Sequence, residues 1–102
     1  MKSYYVYMLL CADNSFYVGV TNDPQTRLWQ HGTGIDKGCY TYERRPVSLV
    51  YCAEFRDVLD AIAWEKRVKG WSRAKKAALA KDDWKAIHEI VCDERRKRQH
   101  NA

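Results

Sequence analysis

A phenol, a guanidinium and an imidazole are spaced across one short stretch, "FYVGVTNDPQTRLWQH", residues 16–31. Tyr17 and Gly19 fall in an aromatic, β-branched run, and Arg27 and His31 follow four residues apart. At 3.6 residues per helical turn, that separation places Arg27 and His31 about 40° apart on one helical face. A guanidinium fork matches phosphate oxygens, and a phenol or imidazole can position a water or accept its proton. The chemistry these types suit is that of a phosphate site. The same residues would also serve packing and surface charge, so the neighbouring elements must decide.

A second chemical signal is a carboxylate out of place. Val58, Ala61, Ile62 and Val68 recur at i, i+3, i+4 spacing, and the residue that completes this apolar stripe is Glu65. A carboxylate on a core-facing stripe is costly unless a cation or hydrogen-bond donors compensate it. Either Glu65 lies at the stripe edge and pairs with an Arg, or it is a metal ligand at the mouth of the core.

The elements that must position these groups follow from local patterning. Residues 4–11 are apolar, aromatic and β-branched, and read as a strand buried on both faces. Asp13, Asn14 and Ser15 make a turn, and 16–21 return as the second strand of a hairpin. Tyr7 and Tyr17 then share a face if the loop has an odd number of residues. Gly19 leaves its strand bare on one side, so that another group can come close. Asp23 and Pro24 open a helix expected to stop at Gly32. Residues 33–43 read as a polar loop, and 46–55 as a third strand. Asp57 opens a helix that ends near Gly70, Ser72 caps a third helix, and Asp82 and Asp83 begin a fourth. The basic end, "ERRKRQHNA", reads as a frayed extension. The order ββαβααα predicts an α+β domain, a small three-stranded antiparallel sheet flanked by helices. Its 102 residues are expected to form a single domain.

Charge is distributed unevenly. The net charge of +5 divides into −1 over residues 1–64 and +6 over residues 65–102, and residues 66–81 hold seven Lys or Arg and no acid. Such asymmetry suits a polyanionic partner, although a solvated basic helix face has the same composition. Cys11 and Cys52 lie in apolar runs and are expected to be buried. No C-x-x-C pair exists, which argues against a structural zinc site, and His88 and Cys92, four apart, lack further ligands in sequence. No stretch approaches the length of a membrane span. "YYVYMLLCA" follows a Lys as a signal peptide might begin, but its recurring tyrosines and the turn after it favour a strand, hence a cytoplasmic protein.

Taken with the hairpin, these residues resemble the GIY-YIG nuclease superfamily, most closely its small stand-alone bacterial members. The first half-motif stands as Tyr5, Val6 and Tyr7, and the second as Tyr17, Val18 and Gly19. Residues 44–51 ("RRPVSLVY"), 65–69 ("EKRVK") and 72–79 ("SRAKKAAL") extend the likeness, which spans about residues 4–80. One departure is Tyr5, where the family pattern has Gly.

The resemblance implies hydrolysis of phosphodiester bonds with one divalent ion, Mg²⁺ or Mn²⁺. Glu65 would be the metal ligand, Arg27 would hold the scissile phosphate, and Tyr7, Tyr17 or His31 would position or deprotonate the attacking water. A tyrosine in that role needs its pKa lowered, which Arg27 and the metal could do. Arg44, Arg45, Lys66, Lys69, Arg73 and Lys76 are the expected nucleic-acid contacts. Trp29, Trp64, Trp71, Tyr40 and Tyr42 are candidates for base stacking. With no room for a targeting domain, single-stranded or branched DNA is favoured over plain duplex. The competing class is a non-catalytic nucleic-acid-binding module, for DNA or RNA, that uses the basic 66–81 face.

Overall fold

Strand β1 (Tyr4–Leu10) forms the middle of the sheet, and its neighbours are β2 (Phe16–Thr21) and β3 (Ser48–Phe55), both antiparallel to it. A computed structural model of the protein describes the backbone of residues 2–100 and side chains as far as Arg95. The apolar run that predicts β1 fits its central place: Val6, Met8 and Leu9 are wholly buried. The hairpin pairs Leu10 with Phe16 and closes through residues 11–15, an odd number. Tyr7 pairs with Gly19 and Leu9 with Tyr17, so both tyrosines face one side of the sheet. Asn14 takes a left-handed φ of 66° in the turn, and Asp13 accepts from the Ser15 amide.

Helix α1 (Pro24–Thr33) opens as the sequence predicts, with the Asp23 carboxylate accepting from the Thr26 amide. It does not stop at Gly32. The left-handed residue is Gly34, with φ 70°, whose amide closes the helix on the Gln30 carbonyl. The following loop contains one 3₁₀ turn, Tyr42–Arg44. Its end is fastened to the hairpin, since the Ala12 amide donates to the Arg44 carbonyl. Strand β3 begins two residues later than expected, after a cis peptide bond between Arg45 and Pro46.

Helix α2 (Val58–Lys69) is capped by Asp57 and lies against the sheet, with Trp64 Nε1 donating to the Tyr51 hydroxyl. Ala61, Glu65 and Val68 are its buried residues, whereas Val58 is exposed because it belongs to the uncovered first turn. Cys11 is buried, but Cys52 is exposed because it sits on the edge strand opposite Tyr7.

Residues 2–70 make one compact unit, and residues from Trp71 onward make a second. In the second, α3 (Arg73–Ala80) packs on α4 (Trp84–His100). Ser72 caps α3 through the Lys75 amide, and Asp83 caps α4 through the Ala86 amide. Lys75 is paired with Glu94 at 3.1 Å and lies over the Trp71 ring. The basic end, expected to fray, continues as helix to His100; Asn101 and Ala102 lie outside the described residues.

Candidate active site

The hairpin and α1 bring three of the expected residues into direct contact. Tyr7 runs across the bare face of Gly19: a Cβ there would lie 2.5 Å from the Tyr7 hydroxyl. Glycine at 19 therefore provides the space in which the buried Tyr7 ring lies. That ring ends 2.9 Å from His31 Nε2. Tyr17 packs beside both, its centroid 6.2 Å from Tyr7 and 4.9 Å from His31.

Hydrogen bonding continues beyond the imidazole. His31 Nδ1 is 2.7 Å from Thr41 Oγ1, and the Thr41 hydroxyl donates to Cys39 Sγ at 3.5 Å. A hydroxyl that donates to sulfur can accept from Nδ1–H, which leaves Nε2 with a lone pair. The consistent arrangement is a directed chain: Tyr7 O–H to His31 Nε2, Nδ1–H to Thr41, and Thr41 O–H to Cys39. His31 and Thr41, in the middle of the chain, are both buried.

Arg27 lies beside this chain. Its guanidinium donates to Gln30 Oε1 at 3.2 Å and interacts with the Tyr7 hydroxyl, which holds the arginine pKa up. Burial, reinforced by Arg27, pushes the His31 pKa down and keeps the ring neutral at neutral pH. Burial also pushes the Tyr7 phenol up to about 12, against the opposing pull of Arg27. Arg27 does pull the Tyr7 pKa down, as expected, but desolvation of the phenolate outweighs that pull, so the net shift is upward.

Glu65 is on α2, outside this hydrogen-bond chain. It is 7% exposed, and its carboxylate pairs with Lys69, one turn on, at 2.6 Å. The cation is therefore a lysine, not the arginine that the stripe suggested. Lys69 has its pKa raised chiefly by Glu65 and more weakly by Tyr17, which links the ion pair to the tyrosine side of the site. Among the described residues, no group of three His, Cys, Asp or Glu is arranged to hold a metal. The lone buried carboxylate of Glu65 fits an ion that takes one protein oxygen and keeps most of its water, as Mg²⁺ does.

The expected nucleic-acid contacts occupy several elements. Arg44 pairs with Asp13 at 3.0 Å and stacks over Tyr40, 3.8 Å from its centroid. Arg45 donates to the carbonyls of Tyr42 and Thr33. Both arginines thus fasten the 40–45 segment. Lys66 and Lys69 stand on α2, and Arg73 and Lys76 are one turn apart on α3. Tyr40 is half-exposed and stacks on Tyr17, extending the aromatic surface outward. Cys39 and Thr41 were not singled out by sequence; their only signal is a position in the loop after a helix that carries a candidate histidine.

Comparison with known proteins identifies the family of the chain. Residues 3–78 match the GIY-YIG catalytic domain family. A UPF0213 protein of Lacticaseibacillus paracasei is 44% identical over 82 residues, covering 79% of this chain and 90% of its own length. One from Bacillus pumilus is 48% identical over 75 residues, 72% of this chain and 74% of that protein. Two solution NMR structures are similar. The UPF0213 protein BH0048 from Bacillus halodurans has TM-score 0.51 and 41% identity, covering 78% of this chain and 83% of that one. The protein EF2693 from E. faecalis has TM-score 0.57 and 36% identity, covering 80% and 86%. A family match over most of the chain and relatives at this identity place the protein in the GIY-YIG family, within its small UPF0213 branch.

Proposed function

We propose that the protein is a divalent-metal-dependent endonuclease that hydrolyses phosphodiester bonds in DNA, with single-stranded or branched DNA as its substrate. The observation that carries this reading is the contact of Tyr7 with a neutral, buried His31 beside Arg27. Membership of the GIY-YIG catalytic domain family supports it.

In this reading Arg27 holds the scissile phosphate and offsets the charge of its transition state through paired N–H donors. Tyr17 and Tyr7 orient the attacking water. As the water oxygen bonds to phosphorus and the bond from phosphorus to the leaving oxygen breaks, the water proton passes to the Tyr7 oxygen while the Tyr7 proton passes to His31 Nε2, and the strand leaves as an alkoxide. Tyr7 is a relay and not a standing phenolate, which agrees with its pKa near 12. His31 is the terminal acceptor, and Thr41 holds the Nδ1–H of the imidazolium that forms. Glu65 would hold the metal, Mg²⁺ or Mn²⁺, which when bound supplies charge neutralisation at the leaving oxygen.

Lys66, Lys69, Arg73 and Lys76 would contact phosphates, with the remaining donors of Arg44 and Arg45. Residues 1–102 would act as a single nuclease domain, with 81–102 as a helical extension. The four cysteines are free thiols, which supports work in the reducing cytoplasm. One observation favours a second reading, a non-catalytic binder. Lys69 already neutralises Glu65, so that carboxylate would not repel phosphate and would need no metal.

The experiment that separates the two is incubation of labelled single-stranded, branched and duplex DNA with the protein and Mg²⁺, Mn²⁺ or EDTA. Cuts in single-stranded or branched DNA that require metal are expected. Binding of all three without any cut would favour the binder.

A further inference from the structure

On the far side of His31 from Tyr7 lies a cavity of about 220 Å³, between the second half of α1 and the loop that follows it. Arg27 and His31, shared with the proposed phosphate site, line it together with residues that include Gln30, Ile35, Asp36 and Cys39. We infer that this cavity is a subsite for one unpaired nucleobase, that of a nucleotide flanking the scissile phosphate. The inference rests on the nuclease reading for the position of that phosphate.

Size sets the first limit. The cavity is smaller than the roughly 300–1,000 Å³ of drug-sized sites, so it has room for one heterocycle and not for two stacked nucleotides. Charge sets the second. Arg27 contributes a positive charge, Asp36 a negative one, and His31 is held neutral, so the walls carry no net charge. A second phosphate would face the Asp36 carboxylate, whereas a neutral base would not. Ile35 is 59% exposed and offers an apolar surface for a flat ring.

The polar groups complete the match. Gln30 has its Oε1 turned to Arg27, which leaves the amide NH₂ as the end able to donate. Asp36 Oδ1 accepts from the Gly38 amide at 3.0 Å, and the carboxylate retains acceptor capacity. A donor and an acceptor lining one cavity are what the Watson–Crick edge of a base requires. That edge is free only in an unpaired strand. The cavity thus gives a physical reason for a single-stranded substrate, independent of the basic helices.

The test uses the full-length protein and short single-stranded oligonucleotides, either intact or with one abasic residue placed at successive positions. Binding is read in EDTA by fluorescence anisotropy, and cleavage by gel mapping in Mg²⁺ or Mn²⁺. An abasic residue beside a cut site is expected to weaken binding and suppress that cut by about tenfold. Asp36→Ala and Ile35→Ala, both at exposed positions, should weaken intact oligonucleotides about tenfold and leave the abasic ones unchanged. Equal binding and cutting of intact and abasic strands would overturn the subsite while leaving the nuclease reading standing. Abasic sensitivity in binding without any cleavage would support the subsite and count against the nuclease reading. Absence of binding to every strand would overturn the subsite outright.

Discussion

The Tyr7 hydroxyl and His31 Nε2 lie 2.9 Å apart because position 19, across the sheet from Tyr7, has no side chain. Any Cβ at 19 would fall 2.5–2.9 Å from three atoms of the buried Tyr7 ring. Gly19→Ala must therefore displace that ring or the strand, at a cost of about 1–3 kcal/mol. The expected result is a lower melting temperature together with loss of most cleavage. A variant as stable and active as wild type would show that Tyr7 is not held as described.

Burial of Tyr7 has a consequence in alkali. Its pKa rises from 10.0 to about 12, so between those values the folded state keeps a proton that the unfolded chain has lost. Its contribution is complete below pH 10 and disappears as pH climbs towards 12, a change of about 3 kcal/mol. Lys69 titrates in the same direction, because its pKa is raised by Glu65. Comparing urea midpoints of wild type and Tyr7→Phe from pH 9 to 12 isolates the tyrosine: the variant should lose less stability over that range.

His31 works in the opposite sense. Its folded pKa lies below the ordinary 6.5, so the unfolded chain binds the extra proton first as pH falls. Stability is complete above about 6.5 and is lost as pH drops through the lowered value. If His31 is the terminal proton acceptor, kcat/KM should fall about tenfold per unit on the acid side of that value. His31→Gln should leave a small residual rate without this acid limb; an unchanged limb would assign it to another group.

Much of this site was legible from local chemistry. The bare face of Gly19, the shared parity of Tyr7 and Tyr17, and the Asp23 cap each depend on neighbours within one hairpin or one helical turn. What was not legible depends on contacts that the sequence does not order. Gly32 and Gly34 are equally able to end α1, and only the folded backbone selects 34 as the left-handed residue. Thr41 and Cys39 reach His31 through a loop with no periodicity to place them. The direction of the Tyr7 pKa shift turned on how deeply the ring is buried, which spacing alone does not give. Glu65 was legible as an anomaly on its stripe, but not the identity of its partner, Lys69.

The basic helices make a prediction about salt. If Lys66, Arg73 and Lys76 contact phosphates, DNA affinity should fall steeply as salt rises, and replacing all three with Ala should reduce that slope by about 2–3. Anisotropy titrations between 50 and 200 mM salt, order-of-magnitude bounds suited to such binding, measure this directly. An unaltered slope would mean that these residues are only solvated charges.

The central claim turns on Glu65. Its carboxylate is buried, but its partner Lys69 is more than half exposed, so Glu65→Gln leaves a cation that water can solvate. The fold should lose no more than about 1 kcal/mol. Metal-dependent cleavage should nevertheless collapse, while DNA affinity holds or rises as a negative charge near phosphate disappears. The decisive measurement is therefore single-turnover cleavage of single-stranded DNA in Mg²⁺ or Mn²⁺ by wild type and Glu65→Gln, with melting temperatures taken alongside. The account predicts a wild-type enzyme that cuts and a folded, DNA-binding variant that does not. A wild type inert with either ion, or a Glu65→Gln variant that cuts equally well, would contradict it.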